Sequence, residues 1–279
     1  MNRVAALFVI FVINLWIGLS PSFLLSKDFL WEKVDEGLSI KEFDPAERPK
    51  ASDPKILIVK IDPKLYSLKL LCASEYGKVR MTVKDWCQKH NLISAINAGM
   101  YQEDGLRNVG YMKNFSHINN PRLNTGYQAV LAFNRVDPAV PEIQIIDLKC
   151  QDFDRLKPKY ETFIQNIRMI SCLQENVWVK QNKRWSMAVF GVDKDGNALL
   201  IFTETPYSGY DFAKVLLSLP ISIYNAMYLE GGQEASLYFS AKGIEMDKIG
   251  VPRAEFAEDN DRFASRPVPN VIGVIKKSR

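Results

Sequence analysis

Histidine is scarce in this chain, because its 279 residues include only His90 and His117. A metal centre built from several histidines is therefore excluded, and so is the His-Glu-x-x-His motif of zinc-dependent proteases. The Gly-x-Ser-x-Gly sequence typical of α/β-hydrolases is also lacking. A serine triad would have to use one of the two histidines. Both of these common hydrolase sites are thus disfavoured.

Neither sign of charge dominates the composition. The chain has 36 Lys and Arg against 32 Asp and Glu, a formal net charge of +4. It also has no basic run interleaved with aromatic residues, so we expect no nucleic-acid partner. Hydrophobic residues make up 47% of the chain, which is enough for a substantial core in one large or two small domains.

An apolar run from Val4 to Leu19 follows Met1-Asn2-Arg3 and precedes Ser20-Pro21-Ser22. A positive start, an apolar middle and small residues fit an export signal. The run is slightly short for a transmembrane span. We predict a signal peptide at residues 1–26 or, since no Ala-x-Ala site follows, an uncleaved membrane anchor. The rest of the chain is then expected in the periplasm or outside the cell.

Cysteine is limited to four residues, and no Cys-x-x-Cys pair occurs, so a zinc ribbon or thioredoxin-like site is unsupported. An even number of cysteines in an exported chain permits two disulfides, with three connectivities to choose from. Sequence order favours Cys72–Cys87 and Cys150–Cys172. Four buried thiols are the alternative.

Short apolar and alternating runs dominate residues 54–279, which we take as one domain after a polar linker at residues 27–53. Many strands with few helices predict an α+β fold, a large mixed, barrel-like β-sheet flanked by a few helices. We predict helices at 82–89 and 208–219, with Thr82 and Ser208 as their N-caps. We also predict a helical turn at 160–165 and a hairpin at Asp195-Gly196. Residues 102–126 have the features of a long functional loop that forms one wall of a cleft.

The most informative stretch is an apolar run that ends in Glu230, continues through Gly231 and Gly232, and reaches Glu234. It predicts strand, tight bend, strand. Glycines let the backbone turn sharply and expose N–H groups that can surround an anion. A carboxylate pair beside such a hollow suggests catalysis on a sugar, a phosphate or both. A simple hairpin with two solvated glutamates is the alternative.

Two further features accompany this stretch. A buried strand at 92–96 ends in the small and polar residues 97–101, which form a second strand tip. Arg168 lies among apolar neighbours, although arginine is rarely buried without a partner. Its planar fork suits a phosphate or a carboxylate, so phosphate contact and a structural salt bridge both remain open.

These segments together resemble the phosphodiester glycosidase family, which includes the lysosomal uncovering enzyme of animals. Ile96-Asn97-Ala98-Gly99-Met100-Tyr101 is similar to the family's Ile-Asn-Gly-Gly-Phe-Phe. Leu229-Glu230-Gly231-Gly232-Gln233-Glu234-Ala235-Ser236 is similar to its Leu-Asp-Gly-Gly-Gly-Ser, with glutamate in place of aspartate and Gln233 in place of the third glycine. The resemblance covers residues 56–279 and implies an exported bacterial member.

The resemblance implies hydrolysis of the glycosidic C–O bond of a sugar-1-phosphodiester. Glu230 is then the base or nucleophile, and Glu234 orients a sugar hydroxyl or carries a divalent cation. The substrate-binding residues would be Asn97, Gly99, Asn108, Arg168, Gly231, Gly232 and Ser236, with Arg168 and the two bend amides on the phosphate.

A carboxylate repels an anionic phosphodiester unless a cation lies between them. A bound divalent cation is therefore a further expectation, although no cofactor is certain. The expected partner is a sugar-phosphate glycan of the envelope or the extracellular space. A non-catalytic glycan-binding or envelope-structural module is the alternative function.

Overall fold

Strands make up most of the regular structure of this protein. The computed structural model describes residues 31–44, 55–251 and 265–278. Its strands are β1 (Glu32–Asp35), β2 (Leu38–Phe43), β3 (Ile56–Ile61), β4 (Tyr66–Cys72), β5 (Ser94–Asn97), β6 (Met112–Asn114), β7 (His117–Asn120), β8 (Ala129–Arg135), β9 (Ile143–Asp147), β10 (Tyr160–Ile170), β11 (Trp185–Asp193), β12 (Ala198–Tyr207), β13 (Ile223–Gly231), β14 (Ser236–Ala241), β15 (Ile244–Ile249) and β16 (Asn270–Lys276). The helices are α1 (Val83–His90), α2 (Phe153–Leu156) and α3 (Gly209–Ser218), with 3-10 turns at Lys157–Lys159 and Gly232–Glu234.

The strands form two sheets. The larger, eleven-stranded sheet has the order β1-β2-β3-β12-β11-β13-β10-β6-β7, with β8 pairing with both β10 and β9. The smaller, five-stranded sheet has the order β15-β14-β5-β16-β4. The strand that follows the glycine bend, β14, thus lies in a different sheet from β13, which precedes it.

The main core lies between the two sheets. Alternate side chains of a strand point to opposite faces, so each sheet supplies one apolar face to this core. Leu229 and Phe202 contribute from the larger sheet, and Leu237 and Ile272 from the smaller one. On the outer faces, α3 packs on the larger sheet through Phe212, and α1 packs on the smaller sheet.

Both longer helices begin as their sequences predict. The Thr82 side chain accepts a hydrogen bond from the Asp85 N–H, and the Ser208 side chain accepts one from the Asp211 N–H. A hydroxyl at this position satisfies an N–H that has no partner within the helix. The predicted hairpin at Asp195-Gly196 also forms, between β11 and β12.

The structure departs from the predicted fold in several ways. The protein is mostly β with few helices. Every pairing between described strands is antiparallel, both between consecutive strands and between strands far apart in the chain, so the mixed sheet is wrong. Neither sheet closes within the described ranges, so the barrel-like form is not confirmed. The predicted helical turn at 160–165 is instead the start of β10.

Of the two segments predicted near the N-terminus, a leader and a linker, the structure describes only part of the linker. The leader at residues 1–26 lies outside the described residues. Of the predicted linker at 27–53, residues 32–43 form β1 and β2, and β2 pairs along β3 at the edge of the larger sheet. Among the helices in the described ranges, none has the length and apolar character needed to span a membrane.

Candidate active site

The glycine bend carries the chain from one sheet to the other. β13 ends at Gly231, a 3-10 turn covers Gly232–Glu234, and β14 begins at Ser236. The two strands are paired with different neighbours: β13 with β11 and β10, and β14 with β15 and β5. The simple hairpin considered from the sequence is therefore wrong, and the bend lies at the junction of the two sheets.

The second strand tip reaches this bend through Asn97, the last residue of β5. The buried Asn97 side chain donates from Nδ2 to the Glu234 carbonyl at 2.6 Å. Its Oδ1 accepts the Ser236 N–H at 2.7 Å. One amide thus satisfies a donor and an acceptor of the bend, and the two predicted tips meet.

Close packing explains the glycines of the bend. A Cβ on Gly231 would lie 2.2 Å from Trp185 Cδ1 and 2.3 Å from the Tyr228 hydroxyl. Gly232 has a φ of 69°, a conformation that residues with a Cβ rarely adopt. The Gly231 N–H donates to Glu230 Oε1 at 2.9 Å, so this amide, predicted to bind phosphate, holds the neighbouring carboxylate here.

Gly99 and Asn108 lie behind the tip of β5. A Cβ on Gly99 would come within 2.6 Å of Asn166 Nδ2 and 2.7 Å of Asn108 Oδ1. Asn108 is fully buried, and its Nδ2 donates to the carbonyls of Gly110 and Gln165. Asn166 Nδ2 donates to the Leu229 carbonyl just before the bend. In this structure Gly99 and Asn108 thus support the site from behind.

Both glutamates belong to a charged group around Tyr101. Burial raises the pKa of Tyr101, and the Glu234 and Glu230 carboxylates raise it further, while Arg80 and Arg266 oppose the shift. Arg266 Nη1 lies 3.2 Å from Glu234 Oε1. The Arg80 guanidinium carbon lies 5.9 Å from the centre of the Tyr101 ring. The two glutamate carboxylates and the two arginine guanidinium groups are therefore all close enough to Tyr101 to change its pKa.

Tyr127 is a second aromatic residue close to this group. Burial raises its pKa, and the Glu230 carboxylate raises it further. Tyr111, by contrast, is buried against Phe153 and Phe163 and has a packing role. Among the described tyrosines, Tyr101 and Tyr127 are the two whose pKa the Glu230 carboxylate raises.

Arg168 forms a structural salt bridge, which is one of the two roles that the sequence allowed for it. Its Nη1 contacts Asp147 at 2.8 Å to Oδ1 and 3.0 Å to Oδ2. Asp147 is buried and also accepts the Cys172 N–H at 3.0 Å. Arg168 lines a cavity of about 520 Å³ together with Trp178. Its charge is thus engaged by the carboxylate at the end of β9, which β8 separates from β10 in the sheet.

One of the two predicted disulfides is confirmed. Cys150 and Cys172 are bonded, with their Cα atoms 6.6 Å apart. The Cys72–Cys87 pairing is wrong, because both are buried free thiols on opposite faces of the smaller sheet. Cys72 points into the core between the sheets, whereas Cys87 lies under α1 on the outer face. Burial raises the pKa of both thiols.

Sequence reasoning missed three of these neighbours: Arg80, Arg266 and Tyr127. None belongs to a recognisable motif, and the two arginines are 186 positions apart in the numbering (266 minus 80). Only the fold brings them to the bend. Among the described residues, the His, Cys, Asp and Glu groups with metal-site spacing do not include Glu230 or Glu234.

The phosphodiester glycosidase family profile matches residues 90–275, and the chain belongs to this family. The match contains both strand tips and the bend. Comparison with curated proteins returns no match.

Solved structures share the fold. A zebrafish N-acetylglucosamine-1-phosphodiester alpha-N-acetylglucosaminidase catalytic domain, auto-inhibited by its pro-peptide, is similar with a TM-score of 0.62 and 13% identity, over 88% of this chain and 86% of that one. A hypothetical protein from Synechocystis gives a TM-score of 0.62 and 14% identity, over 87% of this chain and 62% of the other. A protein of Burkholderia pseudomallei K96243 described as exported gives 0.53 and 11%, over 81% and 75%.

Proposed function

We propose that this protein hydrolyses the glycosidic C–O bond of a sugar-1-phosphodiester. The observation that carries the proposal is the hydrogen-bonded junction between Asn97 and the Glu230–Ser236 bend, with Arg266 paired to Glu234 and Arg80 over the ring of the neighbouring Tyr101. Family membership supports the reaction class. The zebrafish enzyme is named for N-acetylglucosamine-1-phosphodiesters, which makes such compounds the first substrates to test.

In this proposal Glu230 acts at the anomeric carbon, as base toward water or as nucleophile. The C1–O bond breaks, its electron pair leaves with the phosphate monoester, and the water oxygen ends on the sugar. Phosphate is a good leaving group, so strong acid catalysis is less necessary than stabilisation of the departing charge. Glu234 orients a sugar hydroxyl through its carboxylate.

The positive charges of Arg266 and Arg80 offset the repulsion between these carboxylates and an anionic substrate. A guanidinium binds phosphate oxygens through a fork of N–H donors. Arg266, at present paired with Glu234, would be shared with the phosphate, and Arg80 would approach across the Tyr101 ring. Arg168 and the Gly232 amide remain further candidates for the phosphate, and Ser236 for the sugar. A divalent cation would add to the same positive field.

The setting proposed for this reaction is the periplasm or the extracellular space, on a sugar-phosphate glycan and without a nucleic-acid partner. The Cys150–Cys172 disulfide supports it, since disulfides persist mainly outside the reducing cytosol. Anchoring of the protein to the membrane through residues 1–26 belongs to the same proposal.

Hydrolysis of a panel of sugar-1-phosphodiesters in oxygen-18 water, with and without chelator, tests the reaction. We expect free sugar that carries the label and an unlabelled phosphate monoester. Label on the phosphate would instead mean P–O cleavage by a phosphodiesterase. Binding of the glycan with no turnover on any substrate would favour the non-catalytic glycan-binding module.

A further inference from the structure

Three side chains with metal-binding chemistry converge away from the glycine bend. Cys72 ends β4, Glu75 lies in the turn after it, and His117 begins β7. One ligand atom from each, a sulfur, a carboxylate oxygen and a ring nitrogen, lies within 4.8 Å of the other two. A single ion placed among them could therefore contact all three.

The surroundings hold these side chains in place. The Ser74 hydroxyl lies 2.9 Å from His117 Nε2, and Asn119 Nδ2 contacts the same hydroxyl at 2.9 Å. Asn114 Nδ2 donates to Glu75 Oε2 at 3.0 Å. Partners of this kind fix the orientation of ligands around protein-bound metals. The imidazole and the carboxylate thus each have a supporting contact.

The cluster extends from the core to the surface. Cys72 is fully buried, His117 is half-buried and Glu75 is exposed. Glu75 also lines a cavity of about 430 Å³, which Cys72 and His117 do not line. An ion could enter past the exposed carboxylate, and a water molecule from solvent could complete its coordination.

The donor set selects the ion. A thiolate, an imidazole and a carboxylate are the ligands that Zn²⁺ takes in proteins, usually in tetrahedral geometry. Ca²⁺ and Mg²⁺ prefer oxygen ligands throughout, so a buried sulfur disfavours both. The ligands come from β4 and from the hairpin of β6 and β7, and these strands belong to different sheets.

We propose that Cys72, Glu75 and His117 bind one Zn²⁺ ion, which ties the β6–β7 hairpin of the larger sheet to β4 of the smaller one. Binding displaces the Cys72 thiol proton to solvent. Zn²⁺ binding at this site does not require the proposed glycosidase reaction. Its role is to fix the loop that contains Asn108, because Asn119 of that hairpin accepts the Asn108 N–H at 2.8 Å.

Zinc titration of the chelator-treated full-length protein, against a chromophoric competitor, tests the site. We expect one Zn²⁺ per chain, and a rise in the melting temperature on adding Zn²⁺. Co²⁺ in place of Zn²⁺ should give a thiolate-to-metal charge-transfer band. His117→Ala should weaken Zn²⁺ binding by at least about 100-fold and abolish the thermal shift, and Cys72→Ser should abolish the Co²⁺ band.

The matched controls are His90→Gln and Cys87→Ser, which alter the other histidine and the other free thiol and should leave Zn²⁺ binding unchanged. His117 is only half-buried, so His117→Ala is expected to fold and to test the site even if Cys72→Ser does not fold. Absence of saturable Zn²⁺ uptake, or equal uptake by wild type and His117→Ala, would overturn the proposal. These readouts do not involve hydrolysis, so failure of the glycosidase proposal would leave them unchanged.

Discussion

The side-chain amide of Asn97 donates a hydrogen bond to the backbone carbonyl of Glu234 across 2.6 Å, although 137 positions separate the two residues. The same side chain accepts the Ser236 N–H. This buried amide thus ties the two sequence motifs together at the bend. The pairing of β13 with β11 and of β14 with β15 also holds the bend in place.

Replacing Asn97 by Ala should destabilise the protein and reduce its activity together. The change leaves the Glu234 carbonyl and the Ser236 N–H without their partner, at about 1–3 kcal/mol for each buried group. Urea unfolding measures the free energy, with the exposed Asn182→Ala as a control that should change it by less than about 0.5 kcal/mol. Equal stability of the two variants would contradict the bridging role of Asn97.

Tyr101 should titrate above the usual tyrosine pKa of about 10. Since the folded protein then holds the proton more tightly than the unfolded chain, the residue's contribution to stability is full below about pH 10 and is lost as the pH rises further. Ultraviolet difference titration of wild type against Tyr101→Phe isolates this group. Glu234→Gln should lower its pKa, whereas Arg266→Gln should raise it. An unchanged Tyr101 pKa in both variants would mean that the Glu234 and Arg266 charges do not act on this residue.

Arg266→Gln should reduce kcat/KM for a sugar-1-phosphodiester by about 10- to 100-fold. The loss reflects a charge-assisted hydrogen bond to phosphate, worth about 1.5–3 kcal/mol. Arg184, an exposed arginine paired with Asp211, supplies the control variant Arg184→Gln. Steady-state kinetics should show little change for the control. If both variants lose activity equally, general electrostatics rather than phosphate binding explains the effect.

Loss of the Cys150–Cys172 disulfide should cost about 3 kcal/mol, because the bond closes a loop of 22 positions that is otherwise free in the unfolded chain. The Cys150→Ser/Cys172→Ser double variant, compared with wild type in urea, measures the difference. Thiol titration of the denatured wild type should give two reactive groups before reduction and four after it. Four thiols without reductant would contradict the pairing.

The sequence predicts the local features of this fold well. Helix caps at Thr82 and Ser208 and the turn at Asp195-Gly196 depend on a few adjacent residues, and all three are confirmed. The prediction of a helical turn at 160–165 was wrong, because the apolar residues of this segment fit a short helix as well as a strand. In the structure, pairing with β6 and β8 decides in favour of the strand.

Long-range relations were harder to predict. Whether the strands around Gly231 pair with each other or join separate sheets depends on distant partners, which periodicity does not specify. Adjacent order suggested a Cys72–Cys87 bond, but alternation along β4 turns Cys72 toward the core and Leu71 toward α1. Arg80 and Arg266 come together around Tyr101 only in the folded chain, because they are far apart in sequence.

The most direct measurement of the central claim is the hydrolysis rate of Glu230→Gln on a sugar-1-phosphodiester, with substrate binding measured by calorimetry. Glutamine keeps an oxygen that can accept the Gly231 N–H, so the bend should survive while the acid–base or nucleophilic group is lost. The control is Glu204→Gln, an exposed carboxylate that lines a different cavity with Lys55 and Lys248. We predict that Glu230→Gln binds substrate with little change and loses at least about 100-fold in kcat, while Glu204→Gln retains its rate. A Glu230→Gln protein that hydrolyses substrate at the wild-type rate would contradict the account.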